Sequence, residues 1–253
     1  MARNRTIKKP RRLFKKHRED QSLLKLVGRP QLQATLEIMS EGKTPEKLKE
    51  VAVNAEGWLS TILARLKENT QPHLACPDAG GCTYCCYQGV SATVPEVLLL
   101  ADYLRHNHTA VELQAIKQQC RDFISSTDGE PRDEIKHACP FLEGDQNGVG
   151  GICSVYEVRP LACRGYHSLD VRPCKRLFDD PQDKSFMIEV WGFPITQEIA
   201  TSVSRALVAN RLNGSPVKLA HAVLIALETP DAAERYLAGE GIFDPARMTQ
   251  ERV

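Results

Sequence analysis

The sequence predicts a mainly α fold in which helices flank an irregular cysteine-rich core holding one short β-hairpin. Three observations lead there. Apolar residues recur at three- and four-residue spacing before, between and after two irregular stretches, which is the mark of amphipathic helices. Those stretches, residues 71–92 and 126–183, are rich in proline and glycine and break the period. Eight of the nine cysteines fall inside them.

Residues 1–18 read as a basic, disordered tail and residues 19–70 as an N-terminal helical segment. Within that segment Thr44 is placed to cap a helix that opens on Pro45, where a missing N–H costs nothing. Leu48, Val51, Ala55, Trp58, Ile62 and Leu66 form its packing stripe. Residues 71–183 constitute the cysteine-cluster domain. A helix resumes there at Val94-Pro95-Glu96 and runs to His106. A second starts at Thr109, with Glu112 completing a capping box. In that helix Val111, Leu113, Ile116, Cys120, Phe123 and Ile124 lie near one face, so Cys120 reads as a small buried apolar residue and not a ligand. Glu130, Asp133 and Glu134 look like the polar start of a short helix, not an acid/base pair. Cys139-Pro-Phe-Leu and Ile152-Cys-Ser-Val-Tyr are the hairpin strands, turning at Asn147-Gly148. Residues 184–253 form a C-terminal helical segment that packs on the domain, with helices over 196–212, from Ser215-Pro216 to Glu228, and over 231–238.

The chain has 253 residues, enough for a sizeable core, and its 42% hydrophobic and 26% charged content are ordinary for a soluble protein. Its longest apolar run, Ala222 to Leu227, is far short of the roughly 20 residues that cross a bilayer. No secretory leader is legible, so a cytoplasmic location is expected. In a reducing compartment, clustered cysteines are metal ligands or redox groups more often than disulfides.

The net charge of +1 hides an asymmetry, because residues 1–18 carry nine Lys or Arg and no acid while the rest holds 24 basic against 32 acidic residues, a net −8. A basic arm on an acidic body suits nucleic acid or another anionic surface, with Arg11, Arg12, Lys15 and Lys16 as candidate contacts. A solvated tail is the plainer account, since only Phe14 among these residues offers a ring for base stacking.

The cysteines stand in two blocks: Cys76, Cys82, Cys85 and Cys86, then Cys139, Cys153, Cys163 and Cys174. Cys82-x2-Cys85 is the step that lets two thiolates converge on one ion, used by both zinc and iron–sulfur sites. The adjacent pair Cys85-Cys86 fits a single tetrahedral ion poorly, because neighbouring side chains in an extended segment diverge. Two four-thiolate sites, a bridged dinuclear site, or one cluster beside a reactive dithiol all remain open.

The strings Cys82-Thr-Tyr-Cys-Cys, Cys139-Pro-Phe-Leu and Gly151-Ile-Cys-Ser-Val-Tyr-Glu-Val-Arg-Pro-Leu-Ala-Cys-Arg-Gly-Tyr resemble the cysteine-cluster (CxxCxxCC) family, named for zinc or iron chelation. The resemblance covers residues 74–180, and departs from the family pattern in placing five residues, not two, after Cys76. It implies metal binding and, more distantly, a likeness to flagellin lysine methylases with an iron–sulfur centre.

Arg159 and Arg164 are placed to offset thiolate charge, and Tyr156, Tyr166 and His167 to hydrogen-bond sulfur. His167 is also a candidate ligand. The chemistry expected is an iron–sulfur cluster or Zn2+, with a slight lean to iron–sulfur because there is one C-x2-C knuckle and not the two of a zinc ribbon. Three uses are compatible with such a centre: a structural staple, a redox or methyl-transfer enzyme, and a zinc-scaffolded module for nucleic acid or protein. No G-x-G-x-x-G, P-loop, G-x-S-x-G or H-E-x-x-H pattern is present, so nucleotide, hydrolase and metalloprotease chemistries have no support.

Overall fold

The computed structural model describes residues 13–70, 74–76, 82–129, 136–180 and 190–248, with side chains from residue 24 onward and excluding 190 and 191. Arg11 and Arg12, the side chains of Lys15 and Lys16, and Glu130, Asp133 and Glu134 lie outside this description.

Two long helices open the fold. The first, α1 (Leu13–Ser40), packs along α7 (Phe193–Ala209), and α2 (Pro45–Thr70) lies between α1 and α3 (Val94–Asn107). The start of α2 is the one its sequence specifies: Pro45 is its first residue and the Lys47 N–H reaches Thr44 Oγ1 at 3.3 Å. Leu48, Val51, Ala55 and Leu59 are fully buried along it, while Trp58, at the margin of the core, donates its Nε1–H to the Val27 carbonyl at 3.1 Å. Helix α8 (Leu219–Glu228) completes the core against α3 and against α4 (Ala110–Thr127). The Thr109–Glu112 capping box forms as expected, with the Thr109 N–H on the Glu112 carboxylate at 2.7 Å. Cys120 is buried at the centre of α4. Val111, expected on the same face, is instead 80% exposed, because the inward stripe of α4 is carried by Ile116, Cys120 and Thr127.

The middle of the chain is irregular but contains more short elements than its composition announces. Strand β1 (Ser91–Ala92) precedes α3, β2 (Leu142–Glu143) pairs with β3 (Ile152–Cys153), and β4 (His167–Ser168) pairs with β5 (Val190–Trp191). The β2–β3 pair is the expected hairpin, with Asn147 and Gly148 at φ 55 and 90 in its connecting loop. Two short helices, α5 (Leu161–Arg164) and α6 (Val171–Asp179), interrupt a stretch read as loop, and α9 (Ala232–Leu237) closes the C-terminal segment.

Toward the C-terminus two boundaries move. Helix α7 begins at Phe193, three residues earlier than its apolar period indicates, since Gly192 (φ 85) turns the chain and Pro194 is suited to a first turn. Val217-Lys218, expected inside a helix, forms strand β6 antiparallel to β1, and the Leu219 N–H donates to the Val90 carbonyl at 2.9 Å. This pairing brings the start of α8 against the cysteine segment. Among the described residues no helix is long and apolar enough to cross a membrane.

Candidate metal centre

Each cysteine is positioned by a separate local device. Cys82 forms an isolated bridge with Val149, and its neighbour Thr83 donates its N–H to the Gly148 carbonyl at 2.9 Å. Cys85 and Cys86 sit in a 3-10 turn, Tyr84–Tyr87, and not in the extended segment expected for them. In that turn the two side chains stay close enough for Cys85 to hydrogen-bond Cys86. Cys139 donates its N–H to the Cys86 carbonyl at 2.8 Å, and Cys153 lies opposite Leu142 in the hairpin. Cys163 is on α5 and Cys174 on α6. Cys76 is held by β4: the Ala75 N–H reaches the Ser168 carbonyl at 2.9 Å, and the Ser168 N–H points at Cys76 Sγ at 3.3 Å.

All eight thiols line one cavity of about 220 Å³. That is far more than the ~10–15 Å³ one water needs by the same measure. Among the described residues no three Cys, His, Asp or Glu side chains close tightly enough to enclose a single ion. The thiols surround a space, not a point. Among the described residues no carboxylate lines the cavity, and its remaining wall is largely apolar, with Phe141, Val155, Phe193 and Leu219. A donor set of eight thiols, with His167 the imidazole beside them, suits thiophilic metals and not the hard cations that prefer oxygen.

Residues 75–186 match the family model CxxCxxCC, described as "Putative zinc- or iron-chelating domain". The match covers less than half of the chain, and this segment is similar to that family. No curated protein and no solved structure matches the chain.

The residues expected around the sulfurs of this segment part ways. Tyr156, Arg159, Tyr166 and His167 all line the cavity. The Arg159 guanidinium lies 3.7 Å from the Tyr156 ring centroid, and its Nε is buried with no hydrogen-bond partner among the described residues. It faces Cys85, Cys153 and Cys163, whose thiolate forms it favours. A positive group with a spare donor fits a centre of accumulated negative charge. Tyr166 sits edge-on to Phe193 with ring centroids 5.8 Å apart. Arg164 does not line the cavity. Its guanidinium turns to Glu56 at 3.0 Å and to the carbonyls of Arg159 and Glu157, so it ties α5 to α2 and does not face sulfur.

Burial is the main cause that pushes up the thiols of Cys76, Cys82, Cys139, Cys153 and Cys174, and it takes Cys163 to about 12. For Cys85 the hydrogen bond with Cys86 comes first and burial second, and together they hold it well above the ordinary thiol value. Such thiols keep their protons until a metal cation replaces them, so ligation in this cavity is linked to proton release.

Two acidic residues that spacing alone did not single out hold the domain's loops. Glu96, fully buried on α3, accepts the Thr93 N–H and Oγ–H, each at 2.7 Å, and the Leu161 N–H at 2.7 Å. The Leu161 N–H is the first of α5, so one carboxylate joins the start of α3 to the helix carrying Cys163. Thr93-x-x-Glu96 is a legible capping box, but nothing in the sequence signals its second partner. Asp145 accepts from Tyr87 Oη at 2.6 Å, from the Gly148 N–H at 2.9 Å and from Thr83 Oγ1, fastening the 3-10 turn of Cys85-Cys86 to the hairpin loop. Burial would raise its carboxyl, but the hydrogen bonds from Thr83, Tyr87 and Gly148 outweigh it and hold the group below the usual carboxylate range. Gly148 is required at this junction, because a Cβ there would overlap the Tyr84 ring.

Proposed function

We propose that the protein holds an iron–sulfur cluster in the cavity of its CxxCxxCC-like segment, through thiolates drawn from Cys76, Cys82, Cys85, Cys86, Cys139, Cys153, Cys163 and Cys174. The observation that carries this reading is the cavity itself: eight thiols and, among the described residues, no carboxylate around a space much larger than one tetrahedral ion. Zinc bound by four thiolates at about 2.3 Å would draw its sulfurs to roughly 3.8 Å from one another. A cluster instead spreads its ligands over a larger cage. When bound, a cluster of this kind supplies one-electron redox chemistry. The chain's own contribution is a largely apolar wall, the Arg159 guanidinium with an unpartnered Nε among the described residues, and the Ser168 N–H directed at Cys76 Sγ. The ligands also come from loops with little regular structure, so metal binding contributes folding energy to a segment with few apolar contacts of its own.

The test is anaerobic purification of the full chain, a visible absorption spectrum, and counts of iron, zinc and labile sulfide per chain. Brown protein with iron and sulfide in comparable amounts is expected. Colourless protein carrying zinc would replace the cluster by a zinc centre, and well-folded protein with neither metal would overturn the metal reading altogether.

A further inference from the structure

The loop that joins β2 to β3 turns on an Asn-Gly pair, and its conformation selects that pair. Asn147 and Gly148 stand at φ 55 and 90, the left-handed region that a tight hairpin connection asks of its central residues. Asparagine and glycine enter this region at least cost. The same pair is chemically labile. The backbone nitrogen that follows an asparagine can attack the asparagine's own side-chain carbonyl, and a glycine has no side chain to hinder the approach.

The chain has two such pairs, Asn147-Gly148 and Asn213-Gly214, and their surroundings differ. Asn213 is half-buried with its side chain held at both ends: Oδ1 accepts the Ser215 N–H at 3.0 Å and Nδ2 donates to Asp244 Oδ1 at 3.3 Å. Its backbone carbonyl accepts from Tyr236 Oη at 2.7 Å, and Gly214 lies so close to the Ser204 carbonyl that a Cβ would overlap it. Asn147 is exposed, and its side chain has no hydrogen bond among the described residues. The restraint at this site is on the attacking group instead. The Gly148 N–H is given to Asp145 Oδ2 at 2.9 Å, and the Gly148 carbonyl accepts the Thr83 N–H at 2.9 Å.

We propose that Asn147 is a site of spontaneous deamidation, and that the bond from the Gly148 N–H to Asp145 sets its rate. Once that bond opens, the Gly148 nitrogen loses its proton to solvent and bonds to Asn147 Cγ. The Cγ–Nδ2 bond breaks, and the nitrogen takes up a proton and leaves as ammonia. Water, the one co-reactant, then adds to either carbonyl of the succinimide, and opening of the ring leaves aspartate or isoaspartate at position 147. The product matters to the thiols. Isoaspartate lengthens the loop backbone by a methylene, and either product puts a new carboxylate two residues from Asp145. The bonds of Asp145 to Thr83, Tyr87 and Gly148 fasten the turn that carries Cys85 and Cys86, so modification loosens the segment that presents them.

The test is mass-spectrometric peptide mapping of the full chain incubated at mildly alkaline pH, folded and in concentrated urea. In the folded chain Asn147 is expected to convert while Asn213 stays intact; in urea both should convert at one rate, faster than Asn147 does when folded. Asp145→Ala should speed conversion of folded Asn147 about tenfold, the factor that a hydrogen bond to a charged group commands. Tyr87→Phe removes a different arm of the same latch and keeps the Gly148–Asp145 bond, so it should leave the rate near that of the unaltered chain. Asn213 converting as fast as Asn147 in the folded chain, or Asn147 converting as fast folded as in urea, would overturn the proposal whether or not any variant folds. Equal rates at Asn147 in the unaltered chain and in Asp145→Ala, or equal acceleration by Asp145→Ala and Tyr87→Phe with helical circular dichroism retained, would overturn it too.

Discussion

Replacing Glu96 by alanine tests the tie between α3 and the helix that carries Cys163. The carboxylate is fully buried, and its loss strips a partner from the Thr93 and Leu161 backbone N–H groups, both inside the protein. A buried donor left unsatisfied costs about 1–3 kcal/mol, so the two together come to about 4 kcal/mol. Burial holds the Glu96 carboxyl above its usual range, against the pull of its hydrogen bonds, and relief of that burial offsets part of the loss. Against a domain stability of about 5–15 kcal/mol, the net effect should still be several-fold larger than that of a surface change. Glu96→Gln keeps the shape and one accepting oxygen but turns an NH2 toward a donor, so it should fall between wild type and alanine. Urea unfolding followed by circular dichroism measures all three. A Glu96→Ala protein within about 1 kcal/mol of wild type would refute the argument, because two orphaned buried N–H groups should destabilise by more than that.

Cys82→Ser and Cys163→Ser should each lower bound metal and destabilise the middle segment, as expected where metal binding is folding energy; unchanged metal content and melting temperature in both would contradict this. Glu56 is raised to about 7 by burial, with Arg164 pulling the other way. A carboxyl raised above its unfolded value of 4.5 adds stability that is complete below that value and disappears as pH rises through about 7. Wild type should therefore lose more thermal stability than Glu56→Gln on going from about pH 5 to pH 8, and parallel curves would rule the effect out. A Cβ at Gly165 would overlap Thr196 on α7, so Gly165→Ala should cost about 1–3 kcal/mol by forcing α5 and α7 apart, measurable by the same urea titration. Deleting residues 1–18 should leave metal content unchanged and weaken retention on a polyanion column at low salt; unchanged retention would make the arm a solvated tail only.

The helices legible in the sequence were those with their own local signals. Helix α2 has Thr44-Pro45 and a continuous stripe, and α4 has the Thr109–Glu112 box. The two-residue strands were not legible except for the hairpin, since a period of two cannot show over two residues and β1–β6 joins positions far apart in the chain. The cysteines were legible as a set because thiols crowded into loop-rich stretches, most of them beside Gly, Pro or Arg, suit metal ligation better than the apolar burial that free thiols favour. Arg164 illustrates the limit: adjacency to Cys163 placed it near sulfur by sequence, but its partner Glu56 comes from a helix about a hundred residues earlier, which spacing cannot reveal. Val111 shows the same limit on a smaller scale, where an apolar residue in the first turn of α4 is exposed because, among the described residues, no element covers that turn.

The pairing of β1 with β6 bears on modularity. Two walls of the cavity, Phe193 and Leu219, belong to α7 and α8, outside the segment that matches the family model. Strand β6 runs directly into Leu219, whose N–H bonds the Val90 carbonyl and whose side chain is buried in the core. The ligand-bearing piece is therefore a vessel without its cover. Excised as residues 75–186 it would keep every thiol yet lose the apolar wall that Phe193 and Leu219 supply.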